Sequence, residues 1–195
     1  MKFLVLGGCG LQGRTVLYDL ASDNEVSEII CADILFDELS KIEKFTDMSK
    51  IRTVKMDVRD KNALISLYKE VDVVIDLLPK EFLPFVNEAA IEAGVSVVNT
   101  NYDYKRELDA RAKKAGIIIM PECGLDPGID LITYGHAKKK FDKLQVIKSY
   151  CGGFPEKSAC DNPLNYKLSW IWRGVLSSCL RESRIIKDKK VIEIP

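Results

Sequence analysis

Hydrophobic and polar positions follow two alternating patterns along most of the chain. Six short runs, rich in valine and isoleucine and almost continuously apolar, fall at 2–6, 28–32, 51–55, 72–77, 95–99 and 116–120. Such runs suit strands buried on both faces of a parallel sheet. Between them lie longer segments with the three-to-four spacing of an amphipathic face, as at Phe85, Ala89 and Glu92-Ala93. They predict helices at 11–21, 35–46, 61–68, 82–93, 104–115 and 128–139. Gly94 and Gly116 stand where helix C-caps are expected. Strand and helix in strict alternation predict an α/β fold, a doubly wound parallel sheet of Rossmann type, over residues 1–141.

The pattern changes after that. A strand is expected at 144–151, a turn at Gly152-Gly153-Phe154-Pro155, a strand at 166–170, a helix at 174–180 and a short strand at 191–194. Residues 142–195 therefore read as the start of an α+β domain that these residues alone do not finish, because so short a segment closes a separate core with difficulty. An unfinished sheet invites pairing with a second copy, so a homodimer through this region is expected.

Composition narrows the function. Lys plus Arg is 29 and Asp plus Glu is 29, so net charge exerts no general pull toward nucleic acid or an anionic membrane. No apolar run reaches the ~20 residues of a membrane span, and no signal-peptide cleavage pattern follows the apolar start. The six cysteines form no C-x-x-C pair and the chain has one histidine, so no metal site is expected. Reduced cysteines and a cytoplasmic location follow. His136 is read as a solvated helix-end residue, and Lys187-Asp188-Lys189-Lys190 as a charged turn.

The chemistry begins at Gly8-Cys9-Gly10-Leu11-Gln12-Gly13, a G-x-G-x-x-G between the first strand and the first helix. In that place Gly8 is expected to allow the tight turn, Gly10 the approach of a pyrophosphate, and Gly13 close packing of helix on strand. The N–H groups at Leu11 and Gln12 then face the diphosphate. Asp33 ends the second strand, where a carboxylate accepts from ribose hydroxyls and repels a 2′-phosphate. NAD is therefore expected in preference to NADP. Asp57, Leu78-Pro79 and Thr100-Asn101-Tyr102 end the next three strands and line the same crevice. Asp126-Pro127 is placed to cap and open the helix at 128–139.

The strings Gly124-Leu125-Asp126-Pro127-Gly128-Ile129-Asp130, Tyr150-Cys151-Gly152-Gly153-Phe154-Pro155 and Asp161-Asn162-Pro163-Leu164-Asn165-Tyr166-Lys167, with Ser169-Trp170 and Arg173-Gly174 beyond, resemble the saccharopine dehydrogenase family, most closely its glutamate-forming type. The resemblance covers essentially the whole chain. It implies a nicotinamide-dependent oxidoreductase of lysine metabolism acting at the C–N bond of saccharopine, an amino-acid substrate. It places Tyr102, Asp126 and Cys151 around the reacting nitrogen, without making any one of them the acid–base group. It places Asn162, Tyr166, Lys167 and Arg173 at the substrate carboxylates, so that 142–195 becomes an incomplete substrate-binding domain. Trp172, Asn101 and Pro121 depart from the family's usual residues. The resemblance further implies that family members continue well past this point, truncating the second domain here. Relatives of the lysine 6-dehydrogenase or carboxynorspermidine type, and a non-catalytic nucleotide-binding module, are the alternatives.

Overall fold

The computed structural model describes residues 1–102, 105–153, 155–165, 167, 172–178, 180 and 182–194. Its residues cluster into two units, Met1–Ile147 and Lys148–Pro195.

In the first unit, six parallel strands run in the order β3-β2-β1-β4-β5-β6. They are β1 (Lys2–Leu6), β2 (Glu28–Asp33), β3 (Ile51–Lys55), β4 (Val73–Asp76), β5 (Ser96–Asn99) and β6 (Ile119–Met120). The helices are α1 (Leu11–Ser22), α2 (Lys61–Tyr68), α3 (Leu83–Ala93), α4 (Arg106–Ala115) and α5 (Ile129–Lys140). This is the doubly wound Rossmann arrangement. The direction of winding reverses between β1 and β4, and Leu6 sits beside both Ala32 of β2 and Asp76 of β4. A crevice must open at that point beyond the strand ends.

Alternate residues of β1 feed two cores. Leu4 and Leu6, with Ile30, Val74 and Val97, pack under Leu64 and Tyr68 of α2, Val86 and Ala90 of α3, and Ala112 of α4. Val5, Ile29 and Cys31 pack under Leu17 and Ala21 of α1. Cover is therefore unequal. Beside α1 the sheet borders a groove of ≈ 500 Å³ lined by Val16, Leu20, Ile75, Leu77 and Val98, among others. Gly94 and Gly116 cap α3 and α4 in the left-handed conformation, as expected.

Two expectations fail here. Residues 35–46 do not form an α-helix. Phe36, Leu39 and Ile42 repeat every third residue, and the backbone follows that period. Leu39 N–H bonds to the Phe36 carbonyl, Ile42 to Leu39 and Phe45 to Ile42. Three-residue spacing is that of a 3₁₀ turn, which still buries Leu39 and Ile42 beneath the sheet. The region 144–151 forms no strand.

The second unit contains α6 (Trp172–Ser178) and an antiparallel hairpin, β7 (Ser183–Lys187) with β8 (Lys190–Ile194). Asp188 and Lys189 form its two-residue turn at φ 51 and 64. Both central residues are left-handed, as a right-twisted two-residue hairpin requires. The charged turn is thus present, and β7 is an addition to the expected strand at 191–194. Most of the expected strand at 166–170 lies outside the described residues. No helix among the described residues is long and apolar enough to cross a membrane.

Leu17 has no exposed surface and anchors α1 to the sheet. Leu17→Ala should lower unfolding free energy by about 3 kcal/mol, read from the urea midpoint at unchanged slope.

Candidate functional site

The glycine loop joins β1 to α1 across residues 7–10. The left-handed residue of its turn is Gly7, at φ 75, not Gly8. Gly8 is required for space, since a Cβ there would lie 2.6 Å from Cys31 Sγ. Gly13 has the severest constraint: a Cβ would stand 2.2 Å from the Gly7 carbonyl oxygen and 2.6 Å from Gly8 backbone. Only glycine lets the first turn of α1 lie against the loop. Gly10 is the N-cap, without a side-chain cap, and no acidic residue occupies the first turn. The N–H groups of Leu11, Gln12 and Gly13 thus have no helical acceptor and lie at the positive end of the helix dipole. That is a fit for a diphosphate.

Asp33 closes the loop from β2. Its Oδ2 accepts from Cys9 N–H at 3.0 Å, and its Oδ1 from Ile34 N–H at 2.7 Å and Leu35 N–H at 3.4 Å. An ionised carboxylate offers about four acceptor positions, so capacity for a ribose hydroxyl remains. Asp57 is differently occupied. Arg59 grips its carboxylate through Nε and a terminal nitrogen, which holds its pKa down at about 2.

The β4 end meets the glycine loop directly. Leu77 N–H bonds to the Leu6 carbonyl at 3.1 Å, and Leu78 Cδ2 lies 3.2 Å from where a Gly7 Cβ would be. Pro79 continues this wall. Thr100, at the β5 end, packs its methyl on Gly124.

Gly124 and Gly128 fold the following loop on itself. Gly128 has φ 150, and a Cβ there would strike the Gly124 oxygen at 2.0 Å. Asp126 does not cap α5. The cap position belongs to Gly128, whose N–H is taken by Asp130 Oδ1 at 2.8 Å, and the helix opens at Ile129, beyond Pro127. Asp126 Oδ1 instead accepts from the Tyr102 hydroxyl at 3.0 Å. Partial burial, then the Asp126 carboxylate, pushes the Tyr102 hydroxyl up to about 12. It therefore remains a neutral donor beside a carboxylate near neutral pH.

The other sequence-predicted residues lie in the second unit. Cys151 is exposed. Asn162 Oδ1 accepts from Leu164 N–H at 3.1 Å, an Asx turn. Lys167 pairs with Asp161 at 3.2 Å. Asp161, Asn162 and Lys167 are thus brought together. Tyr166 lies outside the described residues, as does the side chain of Arg173 on α6.

Sequence reasoning missed Gly7, Asp76 and Asn99 as contributors to the crevice. A double glycine and polar residues closing two apolar strands were the available signals.

Comparison with known proteins now bears on this geometry. Residues 3–120 match the saccharopine dehydrogenase NADP binding domain family, and 124–195 the saccharopine dehydrogenase C-terminal domain family. The chain belongs to the saccharopine dehydrogenase family. It is 35% identical over 196 residues to the NADP+, L-glutamate-forming saccharopine dehydrogenase of Saccharomyces cerevisiae, covering 97% of this chain and 43% of that relative. Identity to the enzyme of that name in Schizosaccharomyces pombe is 37%, covering 100% of this chain and 44% of the relative. Mouse mitochondrial alpha-aminoadipic semialdehyde synthase is 33% identical, over 99% of this chain and 21% of its own length. The solved apo structure of the histidine-tagged S. cerevisiae L-Glu-forming enzyme superposes with TM-score 0.83 at 34% identity, covering 99% of this chain and 44% of that one. The chain spans less than half the length of these relatives.

Gly13→Ala should raise the dissociation constant for a nicotinamide dinucleotide more than about tenfold. Calorimetry on the folded variant checks this, with circular dichroism confirming that the sheet survives.

Proposed function

We propose that this chain supplies the dinucleotide-binding half, and the beginning of the substrate-binding half, of an NAD(P)-dependent oxidoreductase acting on the C–N bond of saccharopine in lysine metabolism. The observation that carries the reading is the cradle at Gly7–Gly13, where close backbone approach and an uncapped helix start fit a diphosphate. Membership of the saccharopine dehydrogenase family supports the substrate class.

The bound dinucleotide supplies hydride transfer. The chain's own groups bind and orient. Leu11, Gln12 and Gly13 N–H groups hold the diphosphate, Asp33 the ribose, and Leu78, Pro79 and Thr100 the wall beyond. Tyr102 and Asp126 form a donor–carboxylate pair able to hold a proton at the reacting nitrogen. Asn162, Lys167 and Arg173 are assigned to substrate carboxylates and Cys151 to the reacting end.

The preferred dinucleotide in this reading is NAD. Asp33 presents a carboxylate where a 2′-phosphate would sit. Glu38 neutralises the neighbouring cations, holding Arg14 at 3.0 Å and Lys41 at 2.6 Å. The opposite reading, NADP, is favoured by the names of the matched domain and of the fungal relatives.

Titration calorimetry decides between them. NAD should bind at least about tenfold more tightly than NADP, and Asp33→Ser with Glu38→Ala should narrow that gap. Tighter NADP binding would overturn the preference, and binding of neither would overturn the dinucleotide reading. Saccharopine-dependent reduction of the bound dinucleotide on the same sample tests turnover. Binding without turnover would favour a nucleotide-binding module.

A further inference from the structure

Asp76 and Asn99 end neighbouring strands β4 and β5 and are paired in register, Asp76 beside Asn99. Both are buried, at 0% and 1% exposure. Each makes the same local turn. Asp76 Oδ1 accepts from Leu78 N–H at 3.0 Å, and Asn99 Oδ1 accepts from Asn101 N–H at 2.9 Å. The two turns are tied together, since Asn101 Nδ2 donates to the Leu78 carbonyl at 3.2 Å. The tie extends to the next loop through Cys123 N–H on the Asn99 carbonyl at 2.9 Å and Glu122 N–H on the Asn101 carbonyl at 3.2 Å. Three loops at the mouth of the crevice are thus joined by the Asp76, Asn99 and Asn101 side chains together with backbone bonds. They carry Leu78 and Pro79, Thr100 and Tyr102, and Asp126.

The remaining polar atoms of the pair, Asp76 Oδ2 and Asn99 Nδ2, have no hydrogen-bond partner among the described residues. A buried side chain retained with half its capacity unused is costly, so another gain must explain it. That gain is positional. Leu78, fixed by Asp76, is the residue packed on Gly7 of the glycine loop.

We propose that Asp76 and Asn99 are positioning residues for the dinucleotide, setting the β4 and β5 loops against the glycine loop. The inference rests on the dinucleotide reading. Asp76 performs this role through Oδ1, the acceptor for Leu78 N–H. Burial raises its carboxyl to about 7, the Leu78 N–H opposing only in part. Apolar Leu6 lies beside it on β1, neutral Asn99 on β5, and Tyr68 of α2 is the titratable group that feels its charge. No cation contributes to its titration among the described residues.

The folded chain holds this proton more tightly than the unfolded chain does, so stability falls as pH rises from about 4 through about 7 and levels off above.

Three proteins test this: the parent chain, Asp76→Asn and Asp76→Ala. Each is read for dinucleotide affinity and melting temperature from pH 5.5 to 8.5, and for hydrogen-exchange protection of the Leu78 and Asn101 amides without nucleotide. Asp76→Ala should weaken binding about tenfold and expose the Leu78 amide. Asp76→Asn should restore both and melt higher than the parent at pH 8.5. Should Asp76→Ala fail to fold, Asn101→Ala, which removes the bond to the Leu78 carbonyl, should weaken binding likewise. Equal affinity and Leu78 protection in all the proteins compared overturns the proposal while leaving dinucleotide binding intact. Absence of nucleotide binding in the parent overturns the dinucleotide reading and this inference with it.

Discussion

The close approach of α1 to the glycine loop is the constraint on which the rest of the site depends. No Cβ fits at Gly13, because the Gly7 oxygen and the Gly8 backbone occupy its place. That contact aims the open N–H groups of α1 over the end of β1, the strand beside which the winding reverses. Everything else at the crevice is arranged around the loop so formed. Asp33 ties it from β2 through Cys9 N–H, and Leu78 packs on it from β4.

The side chains that support this geometry are more buried than those that face the crevice. Asp76 and Asn99 lie within the sheet and reach the mouth only through backbone groups of Leu78 and Asn101. Tyr102 and Asp126, by contrast, are solvent-facing and bonded to each other. The division is physically reasonable. Buried polar groups restrict loop geometry strongly because alternatives cost desolvation, whereas an exposed pair can exchange partners.

Much of this was legible in the chain itself. Parallel strands buried on both faces announce themselves as continuous Val and Ile runs, and a glycine fingerprint after the first of them locates the cradle. The misreadings share one cause: sequence spacing underdetermines which local bond wins. Phe36, Leu39 and Ile42 suit a helix face loosely, but a repeat of three suits 3₁₀ turns better. Asp126 before a proline resembles a cap, yet a folded Gly124–Gly128 loop puts it opposite Tyr102, and Asp130 takes the N–H instead. Asp76 was hidden inside an expected strand because its role depends on pairing with Asn99, a contact across the sheet that local pattern does not encode.

The residues also divide by unit, with the dinucleotide groups in one and the candidates for substrate carboxylates in the other. Every group assigned to the dinucleotide lies within Met1–Ile147, held by the parallel sheet. The carboxylate-binding candidates lie in Lys148–Pro195, where Asp161 pairs with Lys167 and Asn162 is engaged in its own turn. A lysine already neutralised by an aspartate must exchange that partner before it can serve a substrate carboxylate. An exposed ion pair is weak enough to permit this. The cradle demands no such exchange, since the N–H groups of Leu11, Gln12 and Gly13 have no helical acceptor to give up. In the proposed function, nucleotide binding is thus the preorganised part, and carboxylate recognition is the part that must rearrange.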